Sequence, residues 1–504
     1  MPDPQALYAD LRARMREATT LETISAVLEY DDETVMPASA AEYRGEQASL
    51  INGLRHDRFT DPKVGELLSE LEAADAFEAG SAEAVNVREW RREYDRQVKL
   101  PRKLVQDITE TSVRARNAWI EARGKNDYAL FKPWLQKTFD LQKQVADAYG
   151  YEDDPYDALI DQYEIGAKTK DVAEIFKNLR ESLVTMIHKI EDAPRQPDMS
   201  AIEGSFDIEA QKKFVREVVT TLGFDPDRGV IGIAHHPFCT TLGPNDVRIT
   251  TRYEEKRFDT AFSSTVHEGG HAMYDQNVRQ DEWGNPMGQF LTLGVHESQS
   301  RFWENQIGRT RTFWEKWWPV AKGYFPQLAN VDLDAFLFAM NAAQPSLIRV
   351  DADELTYNLH IMIRFELELS ILHGDLPYDD IPAAWNERYK EYLGVEVPND
   401  ADGCLQDIHW SMGIIGYFPT YALGNLYAAQ FAHALQRDLG PLDDLVRASR
   451  YDDIRGWLTT NIHSQGRRFT PKELIEKVTG EAPSSTYLVD YLKDRFGTLY
   501  GIEL

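Results

Sequence analysis

Apolar residues recur at spacings of three and four along nearly the whole chain, and this period narrows the available folds more than any other feature. From Val172 to Ile190, the set Val172, Ile175, Phe176, Leu179, Leu183, Met186, Ile187 and Ile190 marks one helix face. Leu359 to Leu372 and Tyr427 to Leu435 read the same way, and residues 1–150 read as long, charged helices. One stretch breaks the period. Between Val230 and Phe258 the residues are β-branched, aromatic and punctuated by Gly and Pro, and Asp246 to Tyr253 alternates with period two. The pattern predicts a mainly α fold with one small sheet set into it.

A length of 504 residues would allow roughly three domains of about 150 residues each. Linkers are scarce, however. Ala193 to Ser205 is the best candidate, and an ordinary surface loop fits it equally well. There is no internal repeat, so one large unit spanning 1–504 is expected. With 42% hydrophobic residues the chain has ample material for a core, which excludes disorder as its main state. The balance of 55 basic against 83 acidic residues gives a net charge of −28. That argues against nucleic-acid and anionic-membrane partners, whose phosphates demand a basic face. No stretch approaches the roughly 18 apolar residues of a membrane span. The N-terminus lacks an apolar signal region, and two cysteines, Cys239 and Cys404, cannot staple a chain of this size. A soluble, cytoplasmic protein is expected.

The strongest local signal is His267-Glu268-Gly269-Gly270-His271. On a helix, positions i and i+4 share a face, so both imidazoles reach one metal and Glu268 stands beside it. Asp259 to Val278 keeps a helical pattern, with Ala261, Phe262, Thr265, Val266, Ala272 and Met273 on its buried side. Two glycines inside a helix cost about 1 kcal/mol each relative to alanine. They make sense where substrate or another backbone approaches closely. A catalytic zinc takes a third protein ligand and keeps one open position. A histidine six residues past His271, with a glycine three past it, is excluded, because Asn277 and Tyr274 stand there. Glu297, with Arg301 one turn on to steady its carboxylate, is one candidate; His296 is the other.

These motifs resemble the carboxypeptidase Taq family of metallocarboxypeptidases. The resemblance runs through Asp32-Glu-Thr-Val-Met-Pro37, His236-Pro-Phe238, Asp246-Val-Arg-Ile-Thr250 and HEGGH. It continues through His296-Glu-Ser-Gln299, Ile348-Arg-Val-Asp-Ala-Asp353, Gly403-Cys-Leu-Gln-Asp-Ile-His-Trp410 and Gly416-Tyr-Phe-Pro-Thr-Tyr421. It implies a large helical fold with a deep central cleft, like neurolysin and angiotensin-converting enzyme, and a homodimer. Within it, residues 1–150 cover the cleft and 230–425 carry the catalytic motifs. It also favours Glu297 over His296 as third ligand. The expected activity is release of single C-terminal residues from peptides with broad specificity. An oligopeptidase cutting internal bonds with the same site, and a non-catalytic peptide-binding scaffold, are the alternatives.

The expected roles follow from chemistry. His267, His271 and Glu297 hold zinc, with cobalt a possible occupant. Glu268 acts as general base and then acid. The oxyanion needs a donor, and the resemblance to related folds implies Tyr417 or Tyr421, with His409 nearby, although aromatic packing would equally account for Tyr417. A free C-terminal carboxylate calls for a bidentate arginine, first Arg349 and second Arg248. Gln406 assists by hydrogen bonding, and His236 lines the cleft. For Arg349 the competing reading is a structural ion pair with Asp351 or Asp353. Asp275 and Asp353 are candidate partners for the ligand imidazoles. The Asp246–Tyr253 strand is expected to pair with extended peptide at its edge.

Overall fold

The computed structural model describes residues 3–504, and it is helical almost throughout. The segments with helical period fall inside the helices Thr169–Glu191, Tyr357–His373 and Pro419–Leu439. Side-chain carboxylates start many of the helices: Asp127, Asp207 and Asp332 each accept a backbone N–H of the first turn. A continuous core runs from Leu104 to Tyr500, with Trp303, Trp314 and Trp385 among its largest buried side chains.

The N-terminal helices Pro4–Thr34, Pro62–Ala74 and Ala82–Lys99 share a smaller core of their own, built on Leu11, Met15, Leu67, Leu68 and Trp90. The helices Arg102–Lys125 and Tyr128–Tyr149 pack into the main core instead. By packing, then, the N-terminal group with its own core ends near Leu100. The candidate linker is no linker. Ala193 and Ile202 are buried, and Gly204 and Phe206 donate backbone hydrogen bonds to Lys256 and Glu255.

The sheet has three strands, β1 (Gly229–Ile233), β2 (Cys239–Gly243) and β3 (Asp246–Thr251), in the order β1-β3-β2. β3 runs parallel to β1 and antiparallel to β2. Val247 and Ile249 of β3 bury themselves on Val219, Phe224 and Ala272, which fixes the sheet against the helix carrying HEGGH. This corrects the expectation of edge addition at Asp246–Tyr253. β3 is the central strand, so its backbone is already paired on both sides, and the outer edges belong to β1 and β2.

Candidate metal centre

The HEGGH sequence lies on the helix Asp259–Asn277, which buries Ala261, Phe262, Thr265, Val266, Ala272 and Met273 as the pattern predicts. His267 and His271 stand one turn apart on a less buried stripe of the same helix. The two glycines have separate reasons. A Cβ on Gly270 would lie 2.6 Å from Ser300 Cα and 2.7 Å from the Gln299 carbonyl oxygen, and one on Gly269 would lie 2.3 Å from Val219 Cγ2. The backbone of the helix Leu293–Arg301 therefore lies directly against the motif. Gly424, on Pro419–Leu439, makes the same room from another side, since its Cβ would sit 2.5 Å from Glu297 Cγ.

Close approach of these helices brings His267, His271 and Glu297 together, with one donor atom of each within 4.8 Å of the others. The Glu297 Oε2 atom is 3.5 Å from His267 Nε2 and 3.4 Å from His271 Nε2. These separations are long for hydrogen bonds. They match the edge of a tetrahedron with metal–ligand bonds of about 2.0–2.2 Å, roughly 3.3–3.6 Å. Two imidazoles and one carboxylate thus fit a divalent cation in spacing and in chemistry.

The surroundings hold that geometry. Glu297 is 6% exposed; its Oε1 accepts from Arg301 Nε at 2.8 Å and its Oε2 from Ser300 Oγ at 3.1 Å. Burial alone would raise the Glu297 carboxyl, but Arg301 and His267 outweigh it and hold it well below its usual range. His267 has a partner that sequence reasoning missed. Its Nδ1 lies 3.0 Å from Glu304 Oε2, and Glu304 also accepts from Arg301 Nη1 at 3.2 Å and Arg309 Nη2 at 3.0 Å. Glu304 belongs to a wide π-type helical stretch, Phe302–Gly308, continuing the helix of Glu297. Burial disfavours the His267 imidazolium, yet Glu297 and Glu304 prevail and raise it to about 10. Burial and the neighbouring His296 bring His271 down to about 4. Glu268 is 6% exposed, and burial pushes its carboxyl up to about 7.

Several expected roles are corrected. His296 is outside the donor set: its Nε2 lies 3.0 Å from Asp275 Oδ1, and its ring stacks on His271 at 4.4 Å. Asp275 serves His296 and Thr241, so the His271 Nδ1 atom remains buried without a partner among the described residues. Asp353 caps its own turn, accepting from Gln344, Leu355 and Thr356, and touches no imidazole. Gln406 is buried and its amide is fully used. Its oxygen accepts from Arg349 N and Arg364 Nη2, and its nitrogen donates to Leu347, Asp402 and Tyr389. It braces Arg349 and has nothing left for a ligand.

Arg349 pairs with neither Asp351 nor Asp353. Its Nε and Nη2 donate to Asp407 at 3.0 and 2.8 Å, and its Nη1 to the Tyr357 hydroxyl at 3.1 Å. Arg301 lies over the same Tyr357 ring at 4.8 Å, so one tyrosine bridges Arg349 to the arginine that holds Glu297. Tyr421 faces Arg349 at 5.4 Å and Tyr417 at 5.2 Å. His409 packs on Tyr417 and Phe418, and burial lowers it to about 4, so it is neutral. Arg248 is bound bidentately by Asp246 with Tyr30 over its face at 4.9 Å. His236 is exposed between β1 and β2, its ring against His235.

A helical protein with a half-buried pair of histidines, a buried glutamate completing the donor set and a further carboxyl beside the first histidine has the site of a metallopeptidase. Comparison with known proteins narrows the class. Residues 10–496 match the family model described as Carboxypeptidase Taq (M32) metallopeptidase. Thermostable carboxypeptidase 1 of Thermus thermophilus is 41% identical, over 99% of this chain and 100% of that one. Carboxypeptidase 1 of Bacillus subtilis is 38% identical, over 94% and 95%. The crystal structure of an M32 carboxypeptidase from Deinococcus radiodurans superposes with a TM-score of 0.95 at 39% identity, covering 99% and 100% of the two chains. The chain belongs to the carboxypeptidase Taq (M32) metallopeptidase family. It is accordingly a metallocarboxypeptidase, a peptide hydrolase acting at C-termini, and the internal-bond alternative is set aside.

Proposed function

We propose that this enzyme removes single C-terminal residues from peptides with broad specificity, using zinc held by His267, His271 and Glu297, with cobalt as an alternative occupant. The observation that carries the reading is the convergence of these three side chains within 4.8 Å beside buried Glu268. Held by these three side chains, a divalent ion would polarise the scissile carbonyl and would make water a competent nucleophile near neutral pH. Glu268 takes the proton from the attacking water and returns it to the departing amine. Retention of a carboxyl that metal binding does not require argues against a vestigial binding scaffold.

Tyr417 is the proposed oxyanion donor. Burial raises the Tyr417 phenol and the charge of Glu297 adds to the rise, so the phenol feels the metal-side carboxylate, whereas the Tyr421 ring is covered by Arg349 at 5.4 Å. His409, neutral and packed on Tyr417, stands beside it as a second polar contact.

Arg349 is the proposed anchor for the substrate carboxylate, on a count of charges. Arg349 and Arg364 share the single carboxylate of Asp407, leaving one net positive charge, whereas Asp246 balances Arg248. Arg248 and His236 are assigned to more distant parts of the substrate, and Tyr421 to the wall beside Arg349. A cytoplasmic homodimer completes the proposal. Among the described residues no helix is long and apolar enough to cross a membrane, and both cysteines are unpaired.

The test uses paired peptides with free and amidated C-termini, assayed after chelation and after add-back of single metals. The expected result is hydrolysis of the free peptide alone, lost on chelation and restored by zinc. Equal cleavage of the amidated peptide would refute the C-terminal reading, and full activity after complete metal removal would refute the metal site.

A further inference from the structure

The turn that carries His409 and Tyr417 is pinned at one buried point. Glu368, on the helix Tyr357–His373, is fully buried and lies outside every motif discussed above. Its Oε1 accepts the indole N–H of Trp410 at 2.8 Å. Its Oε2 accepts the backbone N–H of Gly416 at 3.1 Å and the Tyr156 hydroxyl at 2.7 Å. Trp410 directly follows His409, and Gly416 directly precedes Tyr417. One carboxylate therefore grips the chain next to both proposed oxyanion contacts.

The other side of the turn is equally fixed. Gly416 adopts a φ of +88°, and a Cβ there would lie 2.8 Å from the Leu159 carbonyl carbon. Four residues beyond Leu159, the Tyr163 ring meets Tyr417 edge-on at 5.3 Å. The Tyr163 carbonyl accepts from Leu293 N at 3.3 Å, where the helix of Glu297 begins. The segment from Tyr156 to Tyr163 thus bridges the metal side and the tyrosine side of the site.

We propose that Glu368 is a positioning residue for catalysis: it holds the Trp410–Tyr417 turn so that Tyr417 and His409 present their polar atoms to the reacting carbonyl. This rests on the reading of Tyr417 as oxyanion donor. Loss of one acceptor would leave buried N–H groups unpaired and let the turn shift, and a displacement of about 1 Å costs on the order of 100-fold in rate.

Glu368→Gln in the metal-loaded full-length enzyme tests this, because the amide nitrogen sets a donor against another donor. Kinetic constants, metal affinity by chelator competition, and melting temperature are measured together. The expected result is a kcat lower by about 30–100-fold, with KM and metal affinity within twofold of wild type. A folded E368Q with wild-type kcat overturns the proposal. Should E368Q fail to fold, Tyr156→Phe removes one donor and is expected to lower kcat about threefold to tenfold at unchanged metal affinity; an unchanged kcat overturns the proposal there too. Combination with Tyr417→Phe separates the two readings. E368Q is expected to cost less in the Y417F background than in the wild type, the remainder acting through His409, and an undiminished further loss means Glu368 positions something else. Y417F turning over at the wild-type rate would instead defeat the donor reading itself, and the proposal with it.

Discussion

The Nδ1 atom of His267 lies 3.0 Å from Oε2 of Glu304, a residue seven positions beyond Glu297. The carboxylate fixes the imidazole so that Nε2 faces Glu297, and Arg301 and Arg309 hold the carboxylate in turn. Outer partners of this kind usually matter by 10–100-fold in metal affinity or activity. Glu304→Gln is therefore expected to weaken metal binding by about 10–100-fold. Competition with a calibrated chelator measures this, and unchanged affinity would show that His267 needs no such support.

Glu268→Gln should separate catalysis from metal binding. The substitution keeps size and burial but cannot accept the water proton. Turnover is expected to fall by about 10²–10⁴, while metal content and melting temperature stay near wild type. Hydrolysis at an undiminished rate would transfer the base role elsewhere.

Gly270→Ala sets helix propensity against packing. Alanine favours an isolated helix by about 1 kcal/mol. Here the added methyl meets main-chain atoms of Ser300 and Gln299 at 2.6 and 2.7 Å, and backbone cannot swing aside like a side chain. Overpacking costs typically about 1–3 kcal/mol, so net destabilisation is expected, with weaker metal binding as Glu297 moves away. Chemical denaturation reads the first and chelator competition the second; a stabilised variant would refute the close approach.

Glu164 should make stability depend on pH. It is 1% exposed, its Oε2 accepts from Gly294 N at 3.0 Å, and its Oε1 from the Tyr427 hydroxyl at 3.0 Å. Burial overrides these bonds and raises its carboxyl from 4.5 to about 7. The folded state thus binds this proton more tightly than the unfolded chain does. The stabilisation is complete below pH about 4.5 and is lost as pH rises through about 7, a change of at most about 3 kcal/mol. Denaturation of wild type and Glu164→Gln at pH 5 and pH 8 tests the sign. The wild type should lose more stability than the variant toward pH 8, and parallel behaviour would remove Glu164 as the titrating group.

Much of this protein was legible before any coordinates. The helical segments, the small sheet, the buried face of the HEGGH helix and the pairing of His267 with His271 follow from period and motif, because each signal is local, whereas Glu297 was favoured over His296 only by the family resemblance. Even Gly270 announced a close approach, though not that a neighbouring helix rather than substrate would make it.

What the tertiary structure decided are the relations between distant residues. Strand order is one: the Asp246–Tyr253 pattern identifies a strand, but only the assembled sheet places it centrally and denies it an edge. The pairing of charges is another. Arg349 had near neighbours in Asp351 and Asp353, yet it chose Asp407, more than fifty residues away, and Gln406 was consumed in bracing it. Glu304 was within reach of the sequence, two turns past Glu297 on a continuing helix, but only packing tells it from any exposed glutamate. Glu164 and Glu368 carried no local mark at all. A carboxylate is typically solvated unless the fold buries it, and burial is a property of the whole chain.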